Sequence, residues 1–307
     1  MFPTTSHGEA YERLIAMGRL YFSMARPFSG DLALRLQPLL VGPTGCGKSH
    51  LVRQVAKDLG CRYMKATYGE WMVLGGKGSR PTTFQLIDAL HGTENLVFHL
   101  DELDKVQPGG GSDWSASISS DLYNVLDKRL NLDDYVLNTS YPPGSTPPSV
   151  DELRGRVETG LWIIGSGTWQ RLYEVAAPGK TIGFGAPPIH GVDGDTIARS
   201  GLIPSELLTR FNGDLVFLRY PNRDETEKLL ERTGVRSLAS KLGVKITSDQ
   251  VDWVRGAGMR ELETIATRLA LEMYRRSQYA SPPQPPRANA AQLPKPKQLP
   301  ILPTVSG

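Results

Sequence analysis

The sequence predicts an α/β fold: a parallel sheet between helical layers, followed by a small helical domain and an extended proline-rich tail. Three observations carry this. Short apolar runs suited to buried strands alternate with segments whose apolar residues recur at helical spacing. A glycine-rich loop joins the first complete strand-helix pair, and after Tyr220 the strand pattern gives way to helical periodicity alone. The expected division is a large α/β nucleotide-binding domain over 1–220, a helical lid over 221–280 and a disordered tail over 281–307.

In chain order the pattern predicts a helix around Ala10 to Ala25, a strand over Leu36 to Val41 and a helix over Ser49 to Leu59. A strand over Arg62 to Ala66, a helix over Thr82 to Leu90 and a strand over Leu96 to Leu100 come next. The α/β part closes with a helix over Ser117 to Leu130, a strand over Leu161 to Gly165, a helix over Ser205 to Phe211 and a strand over Asp214 to Leu218. Helices over Asp224 to Leu242, Ser248 to Val254 and Met259 to Ser277 would form the lid. In such a sheet, ligands gather at the carboxyl ends of the strands.

The loop at that end of the first strand reads Gly42, Pro43, Thr44, Gly45, Cys46, Gly47, Lys48, Ser49, a match to G-x-x-x-x-G-K-[ST] at every fixed position. Glycines let backbone N–H groups turn inward around a phosphate, and the helix opening through Ser49 and His50 adds the positive end of its dipole. Lys48 is placed to neutralise the β- and γ-phosphates, and Ser49 to hold Mg²⁺. A chance glycine-rich turn fits less well, because strand, loop and helix agree with one another. The expected ligands are ATP and Mg²⁺.

The third strand ends in Asp101-Glu102. One carboxylate beside Mg²⁺ and a second that orients a water is what hydrolysis of the γ-phosphate requires. Asp101 is the metal-side candidate and Glu102 the catalytic one; a helix N-cap is the plainer explanation of such a pair taken alone. The fourth strand ends at Gly165-Ser166-Gly167-Thr168, where Ser166, and after it Thr168, would sense the γ-phosphate; an ordinary strand-end turn is the alternative.

Charge decides little, since 35 basic and 32 acidic residues leave a net charge of +3. Cys46 and Cys61 are too few and too constrained for a disulfide framework, which suits a reducing compartment. Neither an export signal nor an apolar run long enough for a membrane span is evident, so the expectation is a soluble, cytoplasmic protein. From Ser281 onward eight prolines favour an extended, solvated tail, acting as a linker or as a ligand for a polyproline-binding partner. Ser140 to Ser149, also proline-rich, reads as a surface loop.

Taken together, these motifs resemble the AAA+ ATPases and, within them, the ClpX and HslU unfoldases of the Clp/Hsp100 group. The phosphate loop and Leu100-Asp101-Glu102-Leu103-Asp104-Lys105 are similar to those of ClpX, and Trp162 to Gly167 to the sensor strand of HslU. Gly201-Leu202-Ile203-Pro204 followed by Glu206 to Arg210 resembles the family's segment ending in a trans-acting arginine, and Gly258-Met259-Arg260 its second sensor. The resemblance implies a homo-oligomeric ring, a hexamer. Arg210 would then reach a neighbour's γ-phosphate and Arg260 the phosphate of its own subunit; a solvated or salt-bridged surface charge is the alternative for each.

Ile182, Gly183 and Phe184 look like the loop with which ClpX docks on a peptidase ring, although the same tripeptide can also pack into its own core. The pore segment Trp71 to Gly76 aligns with Leu74 where the family has an aromatic, leaving Trp71, or Trp114 in a second loop, as substitutes, with ordinary packing as the alternative for both. Lys77 and Arg80 would suit a pore that follows a nucleic-acid backbone. The chain departs from ClpX in lacking a Cys-x-x-Cys pair before the ATPase core and an Ile-Gly-Gln segment in the first forty residues. The expectation is an ATP-hydrolysing ring that unfolds or remodels protein, with a remodeller of nucleic acid or DNA-bound complexes, or a nucleotide-switched scaffold, as the competing readings.

Overall fold

The computed structural model describes residues 5–24, 36–74, 81–106, 113–144, 146–169, 201–211, 214–251 and 260–279. Five parallel strands form one sheet: β1 (Leu39–Val41), β2 (Arg62–Thr67), β3 (Leu96–Asp101), β4 (Leu161–Gly167) and β5 (Leu215–Phe217). Their order across the sheet is β2-β3-β4-β1-β5. Insertion of β4 between β1 and β3 sets the loop after β1 and the ends of β3 and β4 side by side. That edge is where an open α/β sheet binds its ligands.

Strands covered on both faces read as continuous apolar runs, and β3 and β4 do so: every residue of β4 is buried, as is every residue of β3 before Asp101. Successive side chains leave on opposite faces. Leu96, Phe98, Leu100, Leu161 and Ile163 enter one cluster with side chains from α3 (Tyr68–Leu74), α4 (Thr82–His91), α5 (Asp113–Leu126), α6 (Leu132–Asn138), α7 (Val150–Gly160) and α8 (Ser205–Arg210). Leu40, Val97, Trp162, Ile164 and Val216 enter a second with α1 (Thr5–Met24) and α2 (Lys48–Asp58). Phe98 and Trp162 are fully enclosed, so truncating either to alanine would cost about 3–5 kcal/mol.

Three helices, α9 (Arg223–Arg232), α10 (Val235–Lys241) and α11 (Arg260–Tyr279), share a third cluster built on Leu229, Leu230, Val235, Ala239, Val251 and Leu262. The single helix expected over Asp224 to Leu242 is two, because Gly234 takes a left-handed φ of 73° that no helix can pass through. The helix expected over Ser248 to Val254 is a 3₁₀ turn at Ser248–Gln250. The one expected to reach Leu130 stops at Leu126, and Lys128 beyond it stands at φ 58°.

Short helices α3, α6 and α7 were not expected. One of them corrects a candidate: Trp71 does not line a pore but lies in α3, 4% exposed and 6.4 Å from the Phe98 ring, packed in the first cluster. Leu74 ends the same helix, and Trp114 lies in the first turn of α5. Ser140 to Ser149 is irregular wherever it is described. Lys77, Arg80, Ile182, Gly183, Phe184 and the tail from Ser281 fall outside the described residues. Among the described residues, no helix is long and apolar enough to cross a membrane.

Candidate nucleotide site

The loop between β1 and α2 turns through Gly45 at φ 73° and Gly47 at φ 99°, backbone that only glycine adopts without strain. Lys48 follows as the first residue of α2 and is almost wholly buried, its Nζ donating to the carbonyl oxygens of Gly42 at 2.7 Å and Pro43 at 3.0 Å. The ammonium is therefore curled over the loop that its motif serves. Cys46 is enclosed, and burial pushes its thiol pKa up, which removes it from nucleophilic chemistry. His50 is exposed on the first turn of α2.

Two contacts that the sequence reading missed hold this loop from outside. His7 of α1 lies with Nε2 2.5 Å from the Cys46 carbonyl oxygen, and burial lowers the imidazole's pKa, so the neutral ring donates that bond. Tyr220 donates its hydroxyl to the Thr44 carbonyl at 2.9 Å.

At the end of β3, Ser49 donates to Asp101 Oδ2 at 2.9 Å, bringing hydroxyl and carboxylate oxygens together. Lys65, from β2, pairs with the same Oδ2 at 2.7 Å and donates to Ser49 Oγ at 3.2 Å. A further chain of bonds reaches Asp101 from the other side. Ser166 Oγ is 2.5 Å from Asp101 Oδ1, His99 Nε2 is 2.8 Å from Ser166 Oγ, and Tyr63 Oη is 3.0 Å from His99 Nδ1.

The carboxylate fixes the direction of that chain, because it can only accept. Ser166 donates to it, His99 donates to Ser166 through Nε2, and Nδ1 then accepts from Tyr63. Burial lowers the His99 pKa to about 4, so the ring is neutral at physiological pH and that tautomer serves the chain. Burial alone would raise the Asp101 pKa, but His99 and the hydrogen bonds from Lys65, Ser166 and Ser49 hold its carboxyl well below the usual carboxylate range.

The Glu102 backbone N–H also donates to Asp101 Oδ1, at 2.9 Å, but its side chain stands apart from this network. Its backbone is left-handed, at φ 63° and ψ 31°, and its carboxylate pairs with Lys105 at 2.7 Å in an open position. A non-glycine residue in that conformation carries strain of the kind found at working sites. It heads the 3₁₀ turn Leu103–Lys105, yet its side chain makes no capping bond, so the plain N-cap explanation does not describe its carboxylate. Thr168, the second sensor candidate, is engaged by Asp104, which accepts from its Oγ1 at 2.6 Å and its N–H at 3.0 Å.

Arg210 is not brought to the loop. Asp127 pairs with its guanidinium at 3.2 Å, the Glu206 carbonyl accepts from it at 2.9 Å, and its Cζ lies 4.4 Å from the centre of the Tyr123 ring. Arg260 opens α11.

The arrangement fits a hard divalent cation. Ser49 and Asp101 supply converging oxygens of the type Mg²⁺ prefers, and a cationic Lys65 nitrogen already rests against both. Two oxygens leave room for phosphate and water, the usual way Mg²⁺ is held beside a nucleotide. Among the described residues, no cluster of three or more His, Cys, Asp or Glu forms an all-protein cage.

Residues 38–163 match the model of the ATPase family associated with various cellular activities (AAA), a span that takes in the phosphate loop and Asp101-Glu102. The chain carries an AAA ATPase domain. Ser166, Arg210 and Arg260 lie beyond the matched span of that domain. The Lon protease of Endomicrobium trichonymphae is 35% identical over 109 residues, covering 33% of this chain and 13% of that protein. The Lon protease of Flavobacterium johnsoniae is 37% identical over 102 residues, covering 30% of this chain and 12% of its own. This chain thus spans roughly an eighth of the length of these relatives. Among solved structures, a point variant of Thermotoga maritima RuvB is similar at a TM-score of 0.44 and 16% identity, over 88% of this chain and 63% of that one.

Proposed function

We propose that this chain is one subunit of an ATP-hydrolysing ring that unfolds or remodels protein. The observation that carries the reading is the meeting of Lys48, Ser49, Asp101 and Ser166 at neighbouring strand ends, with Glu102 strained and open beside them. Residues Gly42 to Ser49 bind the phosphates, and Lys48 leaves its loop carbonyls to neutralise charge on the β- and γ-phosphates. Ser49 and Asp101 would hold Mg²⁺, which would supply positive charge to stabilise the negative charge developing on the phosphates. Glu102 orients water for attack on the γ-phosphorus and takes its proton as the bridging P–O bond breaks, leaving ADP and phosphate. Ser166 keeps Asp101 oriented through the chain from Tyr63.

Arg210 acts on the nucleotide of the adjoining subunit, for which it must exchange Asp127 for phosphate. Arg260 acts within its own subunit and ties residues 221–280, read as a lid, to the state of the site held by 1–220. Six such subunits close the ring. Similarity to Lon proteases favours protein as the client, in line with the unfoldase resemblance, and Ile182 to Phe184 is the segment that would dock a peptidase ring.

Two variants test the nucleotide chemistry. Lys48→Ala should lower ATP affinity roughly a hundredfold, as loss of a charged hydrogen-bonding partner does. Glu102→Gln should bind ATP with wild-type affinity and hydrolyse it about 10²–10⁴ times more slowly, because only that residue acts on water. Equal defects in binding, or wild-type turnover by Glu102→Gln, contradict the assignment. Turnover that rises with unfolded protein supports the client class, whereas a rise only with DNA moves it to nucleic acid, and slow turnover insensitive to both leaves a nucleotide-switched scaffold.

A further inference from the structure

We propose that Lys65 is a tethered cation that occupies the metal position between Ser49 and Asp101 and must be displaced before a divalent ion can enter. The inference rests on the nucleotide site proposed above. Its basis is a closed triangle: Lys65 Nζ lies 2.7 Å from Asp101 Oδ2 and 3.2 Å from Ser49 Oγ, and these two oxygens are themselves 2.9 Å apart.

Charge explains why a cation belongs there. Asp101 is ionised and only 13% exposed, and a part-buried carboxylate without a counter-ion is strongly disfavoured. The ammonium supplies the missing charge while the metal is away. It cannot stay once Mg²⁺ bonds the same oxygen, since two positive centres about 4 Å apart repel each other in a medium drier than water.

Lysine suits such a reversible role. Its charge sits on a flexible four-carbon stem, unlike the planar fork of arginine, and its side chain is 32% exposed, which opens a way out to solvent. Lys65 also lies on β2, the outermost strand on that side, where it faces His99 in register and reaches Asp101 diagonally across the strand pair. The consequence is a threshold: the site fills only when metal and nucleotide together outcompete an internal ligand, so metal-free nucleotide finds the site already neutralised.

Mn²⁺ binding in the presence of ADP, followed by electron paramagnetic resonance on the full chain, reads this without requiring turnover. Lys65→Met should tighten Mn²⁺ binding roughly three- to tenfold, the factor a modest part-buried charge pair represents. Lys65→Arg, which keeps the charge, should stay nearer wild type. Unchanged or weaker Mn²⁺ binding in Lys65→Met overturns the proposal. Asp101→Asn separates the two levels of the argument: if it leaves wild-type Mn²⁺ binding untouched, the nucleotide-site reading itself fails. A measurement on the unaltered protein guards against a variant that does not fold. Acetylation of Lys65, followed by mass spectrometry, should speed up when Mg²⁺ and ADP are added, and a rate that stays constant or falls contradicts displacement.

Discussion

Lys48 and Arg210 are two cations assigned to the same kind of phosphate, yet their surroundings differ in kind. Lys48 is buried beside its own loop and held by two backbone carbonyls, so one chain supplies everything that positions it. Arg210 lies on the far side of the sheet's apolar layer from that loop's helix, paired with Asp127 and stacked on Tyr123. The first is a finished half-site. The second is a reach-out group stored in a side pocket of charge and aromatic surface, and it makes sense as a phosphate ligand only if another chain brings a phosphate to it.

The largest effect that could break this contrast belongs to Arg210. Arg210→Ala should lower the ATPase rate by about 10³ to 10⁵, as loss of a trans-acting arginine does, while nucleotide affinity stays within about threefold of wild type. Steady-state turnover and equilibrium titration of the same preparation check both halves. A large loss of affinity would mean that Arg210 serves its own subunit's site and the contrast with Lys48 disappears.

Smaller effects sharpen the account of the finished half. His99→Leu removes the group that donates to Ser166, leaving the serine free to turn away from Asp101. Hydrolysis should slow about tenfold, the equivalent of one ordinary hydrogen bond, with nucleotide affinity unchanged. Tyr63→Phe, which removes only the outermost member of the chain, should do less. If His99→Leu is as active as wild type, the chain of bonds orders the core and nothing more.

A third region ties the start of α1 to α9, and its signature is pH. Glu225 accepts from Arg219 through both carboxylate oxygens, at 2.6 and 2.9 Å, and from Thr5 at the start of α1 at 2.7 Å. Burial alone would raise its pKa, but the Arg219 pair and the Thr5 and Asn222 backbone bonds outweigh it and bring the value from 4.5 down to about 2. The folded form is the more acidic one, so the stability this group contributes is fully present above pH 4.5 and is lost as pH falls toward about 2. The melting-temperature difference between wild type and Glu225→Gln should therefore shrink across that window. A constant difference would assign the effect of the substitution to packing.

The sheet and the phosphate end of the site were legible in the sequence because their signals are local. Leu96 to Leu100 can only be a buried strand before two acids, and Gly42 to Ser49 states its own backbone. The missed helices α6 and α7 also had local signals of a weaker kind: Asn131 and Ser149 accept from the backbone N–H groups of Asp134 and Glu152, three residues on in each case. Helix α3 had one as well, a capping box in which Thr67 and Glu70 each accept from the other's backbone N–H, but nothing in Tyr68 to Leu74 announces that Trp71 is on the buried face.

What could not be read was long-range. His99 was visible as the odd residue in an apolar strand, but its link to Ser166 depends on β4 lying beside β3. Lys65 and His7 reach the site from an edge strand and from a helix 39 residues before the carbonyl that His7 engages. Only the topology brings such residues together.

The division between a half-site finished by one chain and an arginine supplied to another is tested most directly by mixing subunits. Arg210→Ala and Glu102→Gln chains, each nearly inactive alone, are combined in varying ratio and ATP hydrolysis is measured. Recovery of activity in the mixture, greatest near equal proportions, is the expected result, because some interfaces then pair an intact Glu102 with an intact Arg210 from the neighbour. No recovery at any ratio, or full-rate hydrolysis by dilute wild-type monomers, would contradict it.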